Sequence, residues 1–267
     1  MAWSLSSDFS LIHNPSSVWS YGSKPVGHHI SGTFSLFTHL DREPSVGDIV
    51  AWFGGDSVWY TKWLGVYYNT RPTAINLKEP AGNIIAFTAN GVGMHPGNDG
   101  RFSVVRFTAP TDGNYALDVT FTHIHNCSSN TGVYIVYNNL VTLWEIELAG
   151  VGDSKSLFKS IDAVKSNESI DFIVGVGLDN IFNCDLILSR VDVRLLENST
   201  KETPTNTSLT SLTNENKTKD PVIAGSIGII LGLVISAILF YVYYRYRKNK
   251  QNINTPGAMN SDHEVVG

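Results

Sequence analysis

From Arg101 to His125 the chain alternates apolar and polar positions, breaks at Pro110-Thr111-Asp112-Gly113, and alternates again. In an extended chain Phe102, Val104 and Arg106 fall on one side and Val105 and Phe107 on the other; after the break, Tyr115, Leu117, Val119 and Phe121 share one face. A period of two predicts strands, and the break predicts a hairpin-like corner of a sandwich. The signature recurs through residues 1–196, where short β-branched and aromatic runs are divided by Gly, Pro, Asn and Asp and no useful helical period occurs. Predicted strands are Thr33–Thr38, Ile49–Phe53, Ala74–Leu77, Ile84–Thr88, Phe102–Thr108, Asn114–His125, Gly132–Tyr137, Thr142–Glu147, Lys155–Val164, Ser169–Val176 and Asp185–Leu195. An all-β, antiparallel jelly-roll sandwich follows for residues 1–196.

The pattern then changes twice. Residues 197–220 are dominated by Thr, Asn, Ser, Lys and Glu, too polar to bury the surface that would offset ordering entropy, and read as a disordered stalk. Residues 221–244 contain an uncharged run from Val222 to Tyr244; as a helix it rises about 34 Å, enough to cross a bilayer. Tyr241, Tyr243 and Tyr244 gather at one end, followed by Arg245, Arg247, Lys248 and Lys250. An aromatic belt with a basic anchor predicts a single-pass membrane protein with its N-terminal domain outside and residues 245–267 in the cytosol. Glycosylation sequons at Asn126, Asn167, Asn198, Asn206 and Asn216 all precede the apolar run, as that orientation requires; Asn14 is excluded by Pro15. Against it, the chain opens with no basic and apolar leader, so a tail-anchored protein with a cytosolic domain is the alternative. Ala224, Gly228, Gly232 and Ser236 recur at every fourth position, a small-residue ridge that predicts a homodimer through the membrane helix.

Composition narrows the function. With 16% charged residues and a formal net charge of −5, the chain has no basic field for a nucleic-acid backbone, and nucleic acid is excluded as a partner. No Gly-x-Ser-x-Gly elbow, His-Glu-x-x-His or glycine-rich phosphate loop occurs, and the expectation is a non-enzymatic protein.

An ordered series of segments carries a resemblance. Asp8-Phe9-Ser10-Leu11 and Asn14-Pro15 precede Trp19-Ser20-Tyr21-Gly22. Val66-Tyr67-Tyr68-Asn69-Thr70, Met94-His95-Pro96-Gly97, Val104 to Pro110, Gly113-Asn114-Tyr115 and Ile170 to Gly175 then lead to Asp185. Over roughly Asp8 to Leu195 the series resembles the secreted bacterial jelly-roll domain of PEP-CTERM-type exported surface proteins, similar to carbohydrate-binding modules. The resemblance implies the sandwich fold and no defined ligand. The stalk, apolar run and tail depart from the family, as do Cys127 and Cys184.

Four groups of residues are candidates for chemistry. Jelly-roll binding modules commonly clamp their first and last strands with Ca²⁺, and Asp8 and Asp185 stand at those places with hard oxygen ligands; both also suit turn capping. The aromatic set Trp52, Phe53, Trp59, Tyr60, Trp63, Tyr67 and Tyr68 is dense enough to supply core and ligand platform alike, and Trp59 and Trp63 beside Lys62 and Asp56 are the expected exposed ligand-binding candidates. Cys127 and Cys184, the only cysteines, form one disulfide or remain buried thiols. His123-Ile124-His125 has the spacing of a metal pair, although the sequence around it sets no third ligand. The resulting expectation is a membrane-anchored surface protein presenting a sandwich that binds a glycan or an extracellular protein. The alternative is a structural or adhesive protein acting by self-association.

Overall fold

The computed structural model describes residues 1–54, 63–79, 81–127 and 129–196. The predicted stalk, membrane helix and tail lie outside the described residues, and so do Asp56, Trp59, Lys62 and the ridge Ala224, Gly228, Gly232 and Ser236. Among the described residues the secondary structure is all strand: β1 Ala2–Ser4, β2 Trp19–Lys24, β3 Ser35–Leu36, β4 His39–Arg42, β5 Ile49–Phe53, β6 Gly65–Asn69, β7 Ile75–Lys78, β8 Ile84–Phe87, β9 Val92–His95, β10 Phe102–Thr108, β11 Gly113–His123, β12 Asn130–Tyr137, β13 Val141–Ala149, β14 Ser154–Val164, β15 Ser169–Val176 and β16 Ile187–Leu196. No helix there is long and apolar enough to cross a membrane.

Two antiparallel sheets form the body. One runs β14-β11-β16-β9-β6-β5-β4 with β1 added on β16, and the other runs β13-β12-β15-β10-β2-β3. Alternation decides which side chains meet between them. Tyr115, Leu117, Val119 and Phe121 of β11 are fully buried in the same cluster as Val105 and Phe107 of β10, Phe172 and Val174 of β15, and Trp19 and Tyr21 of β2. Residues from the inner faces of both sheets thus make one core, consistent with a jelly-roll sandwich. The other face of β10 presents Phe102 and Val104 to a smaller cluster with Tyr134 and Ile173.

The Pro110–Gly113 break is a corner but not a hairpin. β10 pairs with β15 and β2, whereas β11 pairs with β14 and β16. The turn therefore carries the chain from one sheet to the other, because both strands place their larger apolar face toward the shared core. The Tyr115 hydroxyl donates to the Thr111 carbonyl at 2.7 Å and fastens this corner. Strands β1, β2, β4, β6 and β9 were not among those predicted. β2 is buried at all six positions and β9 at all four, so neither shows the alternation of a half-exposed strand. Gly22 lets β2 approach its neighbour, since a Cβ there would lie 2.3 Å from the Ser35 carbonyl oxygen.

A hairpin of β7 and β8 covers the opposite face of the β5–β6 region. Val66 and Trp52 point into the main core, while Ile49, Ala51 and Tyr67 turn outward and pack with Ile75, Leu77, Ile85 and Phe87 of the hairpin. Strand β8 also captures the chain leaving β11: Ala86 donates to the Ile124 carbonyl at 3.1 Å, and Asn126 donates to the Ile84 carbonyl at 3.0 Å. This pairing fixes His125 beside the hairpin loop, where the candidate site forms.

Candidate functional site

A cleft of about 450 Å³ opens between the β7–β8 loop, the segment before β6, the end of β9 and the residues around Cys184. Its walls include Trp63, Glu79, Asn83, His95, His125 and Cys184. Each is set by local structure. Trp63 precedes β6 with a left-handed backbone, φ 59°, and its carbonyl accepts a 2.6 Å bond from the Tyr67 hydroxyl. Its ring packs partly on the hairpin core and lies 5.6 Å from the ring of His95, centroid to centroid. Glu79 closes the hairpin loop, donating its amide to the Asn83 carbonyl at 2.9 Å. The Glu79 carboxylate accepts from Asn83 Nδ2 at 3.2 Å and lies 3.0 Å from His125 Nε2.

The three histidines are buried. His95 sits at the end of β9 with Nδ1 2.6 Å from the Pro96 carbonyl, which accepts and so assigns the ring proton to Nδ1. Burial pushes the His95 imidazole down to about 3, opposed by that carbonyl and assisted by the neighbouring His125 and His123. It is neutral at physiological pH. Burial, and then the neighbouring His125, also lowers His123. Neither ring nitrogen of His123 nor Nδ1 of His125 has a hydrogen-bond partner of good geometry.

Cys127 and Cys184 are joined in a disulfide, with Cα atoms 5.7 Å apart. It ties the end of the β11 segment to the approach to β16, and Cys184 holds a left-handed backbone, φ 77°. The residue that follows, Asp185, is fully buried. Its Oδ1 accepts from the Thr131 hydroxyl at 2.8 Å, its Oδ2 has no partner, and burial raises its carboxyl to about 7. Asp8 lies elsewhere in the contact network: its carboxylate accepts from the Ser4 amide at 2.9 Å and from Trp19 Nε1 at 3.4 Å. Asp8 and Asp185 share none of these partners. Among the described residues, the three-residue ligand group is His125, Cys127 and Cys184, and it contains neither aspartate.

Of the aromatic set, Trp52 and Tyr67 are buried and belong to cores, Phe53 and Tyr68 pack against them, and Trp63 lines the cleft. Trp59 and Tyr60 lie outside the described residues. Sequence reasoning missed Glu79 and Asn83, which read as ordinary loop residues, and gave His95 no role of its own. The His123-Ile124-His125 spacing was the available signal; the partners that give it meaning arrive from β9 and the hairpin loop. The sequons Asn126 and Asn167 are both exposed, and Asn167 lies in the turn between β14 and β15. Asn14 is built into the fold: its amide donates to the Tyr21 and Phe37 carbonyls, each at 2.7 Å, and its oxygen accepts from the Tyr21 amide.

No family model matches the chain, and no curated protein does. Solved structures similar to it include CBM51 from Clostridium perfringens GH95 in complex with methyl-galactose, at 12% identity over 52% of this chain and 96% of that one, TM-score 0.33. A family 35 carbohydrate-binding module from Clostridium thermocellum is 16% identical over 46% and 89%, TM-score 0.26. The N-terminal cellulose-binding domain of Cellulomonas fimi β-1,4-glucanase C is 16% identical over 45% and 91%, TM-score 0.26. Overlaps this small leave the chemistry of the cleft to be judged from its own residues.

Proposed function

We propose that the chain is a non-enzymatic, single-pass membrane-anchored surface protein whose sandwich binds a carbohydrate in the cleft beside Trp63. The observation that carries this reading is the convergence of one indole with Glu79 and Asn83 in a partly enclosed cleft. An aromatic face covers the apolar side of a sugar ring, and a carboxylate with an amide accepts and donates to its hydroxyls. The neutral, buried His95 behind Trp63 adds a rigid wall and no charge. Membrane anchorage rests on the uncharged run from Val222 to Tyr244 and the basic residues after it.

A glycan array probed with cells displaying the full-length chain tests the reading. The expected result is selective binding to one glycan class, with Trp63→Ala weakening it by about tenfold or more. Binding to no glycan, or binding indifferent to Trp63→Ala, overturns the assignment of the cleft. Self-association through the edge strand β14 is less favoured. Phe158 there is 67% exposed, but Lys155 and Lys159 on the same strand are the charges that discourage edge-to-edge pairing.

A further inference from the structure

Cys184 of the disulfide lines the cleft, and both cysteines are partly exposed. One ring nitrogen of His125, Cys127 Sγ and Cys184 Sγ all lie within 4.8 Å of one another. The His125 side chain is 4% exposed, and its Nε2 is taken by Glu79 at 3.0 Å. That bond orients the ring and leaves Nδ1 as the nitrogen without a partner. A carboxylate holding one imidazole nitrogen, with the other left free of a partner, is the outer support that zinc-binding histidines use. Zinc bonds of about 2.0–2.3 Å to nitrogen and sulfur in a tetrahedron place ligand atoms roughly 3.3–3.8 Å apart. Donors already within 4.8 Å reach that spacing by side-chain rotation once the sulfurs part.

We propose that reduction of Cys127–Cys184 converts this wall of the cleft into a zinc site, with Cys127 Sγ, Cys184 Sγ and His125 Nδ1 as ligands and the fourth position open to the cleft. A dithiol reductant gives two electrons and two protons to the bridge and closes its own disulfide, leaving two cysteine thiols. On binding Zn²⁺ those thiols release two protons, and the two thiolates with a neutral imidazole balance the metal charge. Oxidation closes the bridge and withdraws both sulfur ligands. The cysteine pair is therefore a redox gate on metal binding, and metal in the open position changes what the cleft presents to a ligand.

The test uses the full chain in detergent micelles, reduced with a non-chelating phosphine and titrated with Co²⁺. The expected result is one Co²⁺ per chain, a thiolate-to-cobalt band in the near ultraviolet, and the strong visible bands of four-coordinate cobalt, all displaced by one equivalent of Zn²⁺. Unreduced chain shows none of these. His125→Ala lowers the Co²⁺ affinity at least tenfold, and Glu79→Gln lowers it less. A reduced chain with intact strand circular dichroism and no thiolate band overturns the proposal, as does His125→Ala binding like the wild type. Should reduction alone unfold the domain, Zn²⁺ added before the phosphine is expected to preserve the melting transition in the wild type and not in His125→Ala; equal loss in both overturns it.

Discussion

The ammonium of Lys24 lies 2.8 Å from Asp171 Oδ2, and solvent reaches neither side chain. Asp171 is also held by Arg106, whose Nε lies 2.6 Å from Oδ1 and whose guanidinium stacks over Phe34 at 4.2 Å. Lys24 completes its shell by donating to the carbonyls of His29 and Ile30 at 2.8 and 3.1 Å. Burial lowers the Lys24 ammonium from its ordinary range, and Asp171 works against that shift. The triad joins β2, β10 and β15 on the face of their sheet that points away from the main core.

Removing one member leaves an unpaired buried charge. Asp171→Asn is expected to destabilise the domain by about 3–5 kcal/mol, whereas Arg106→Lys, which keeps a cation at the rim, costs less. Chemical denaturation of the two variants checks the order, and equal small losses would mean that the triad is electrostatically neutral to folding.

Two buried groups give opposite pH slopes. His95, lowered to about 3, stays neutral in the fold but takes up a proton on unfolding below its ordinary 6.5, so its contribution is lost as pH falls through that window. Asp185, raised to about 7, stays protonated in the fold while the unfolded group ionises above its ordinary 3.8, so its contribution is lost as pH rises toward 7. Between about pH 4 and 6.5 the two oppose each other. Asp185→Asn should make stability rise more steeply with pH there, and His95→Gln should do the reverse. Melting temperatures across pH 4–7 for the three proteins check the signs.

A shared calcium clamp would need Asp8 and Asp185 to converge, and their hydrogen bonds draw them to different partners. If the two share a Ca²⁺, chelation with EGTA is expected to lower the melting temperature of the domain relative to millimolar calcium. An unchanged melting curve would remove the clamp.

Topology is read by the sugars. Asn126 and Asn167 are exposed in the fold, and Asn198, Asn206 and Asn216 follow in the stalk sequence. If the domain lies outside the cytosol, glycosidase treatment is expected to lower the apparent mass, and a tag after Gly267 should be protease-protected in intact cells. An accessible tag, or an unchanged mass, would favour the tail-anchored arrangement.

The ridge of Ala224, Gly228, Gly232 and Ser236 predicts close backbone approach of two membrane helices. Gly228→Ile with Gly232→Ile should abolish the signal of a membrane-dimerisation reporter and leave insertion intact. Equal signals would reduce the ridge to composition.

Strand class was legible where β-branched and aromatic residues run together between breaker residues. β5, β10 and β15 begin and end where such runs and the breaker residues place them, although both faces of β5 and β15 are buried. Strands β2 and β9 escaped because each is short and interrupted by a glycine, Gly22 and Gly93, that reads as a breaker; burial on both sides does not by itself hide a strand, since β15 is buried at seven of its eight positions. The sheet change at Pro110–Gly113 also had no local signal, since a turn within one sheet and a turn between two use the same residues. The cleft belongs wholly to tertiary structure: Trp63, Glu79, His95 and His125 come from four separate segments, brought together when the β7–β8 hairpin docks on Ile49, Ala51 and Tyr67 and binds the chain beyond β11. Sequence by itself determined the all-β class, the polar and apolar segments that follow it and the residue types available for chemistry, because these depend on neighbours along the chain. Which of those residues face one another was decided by long-range pairing, whose contacts carry no mark in local order.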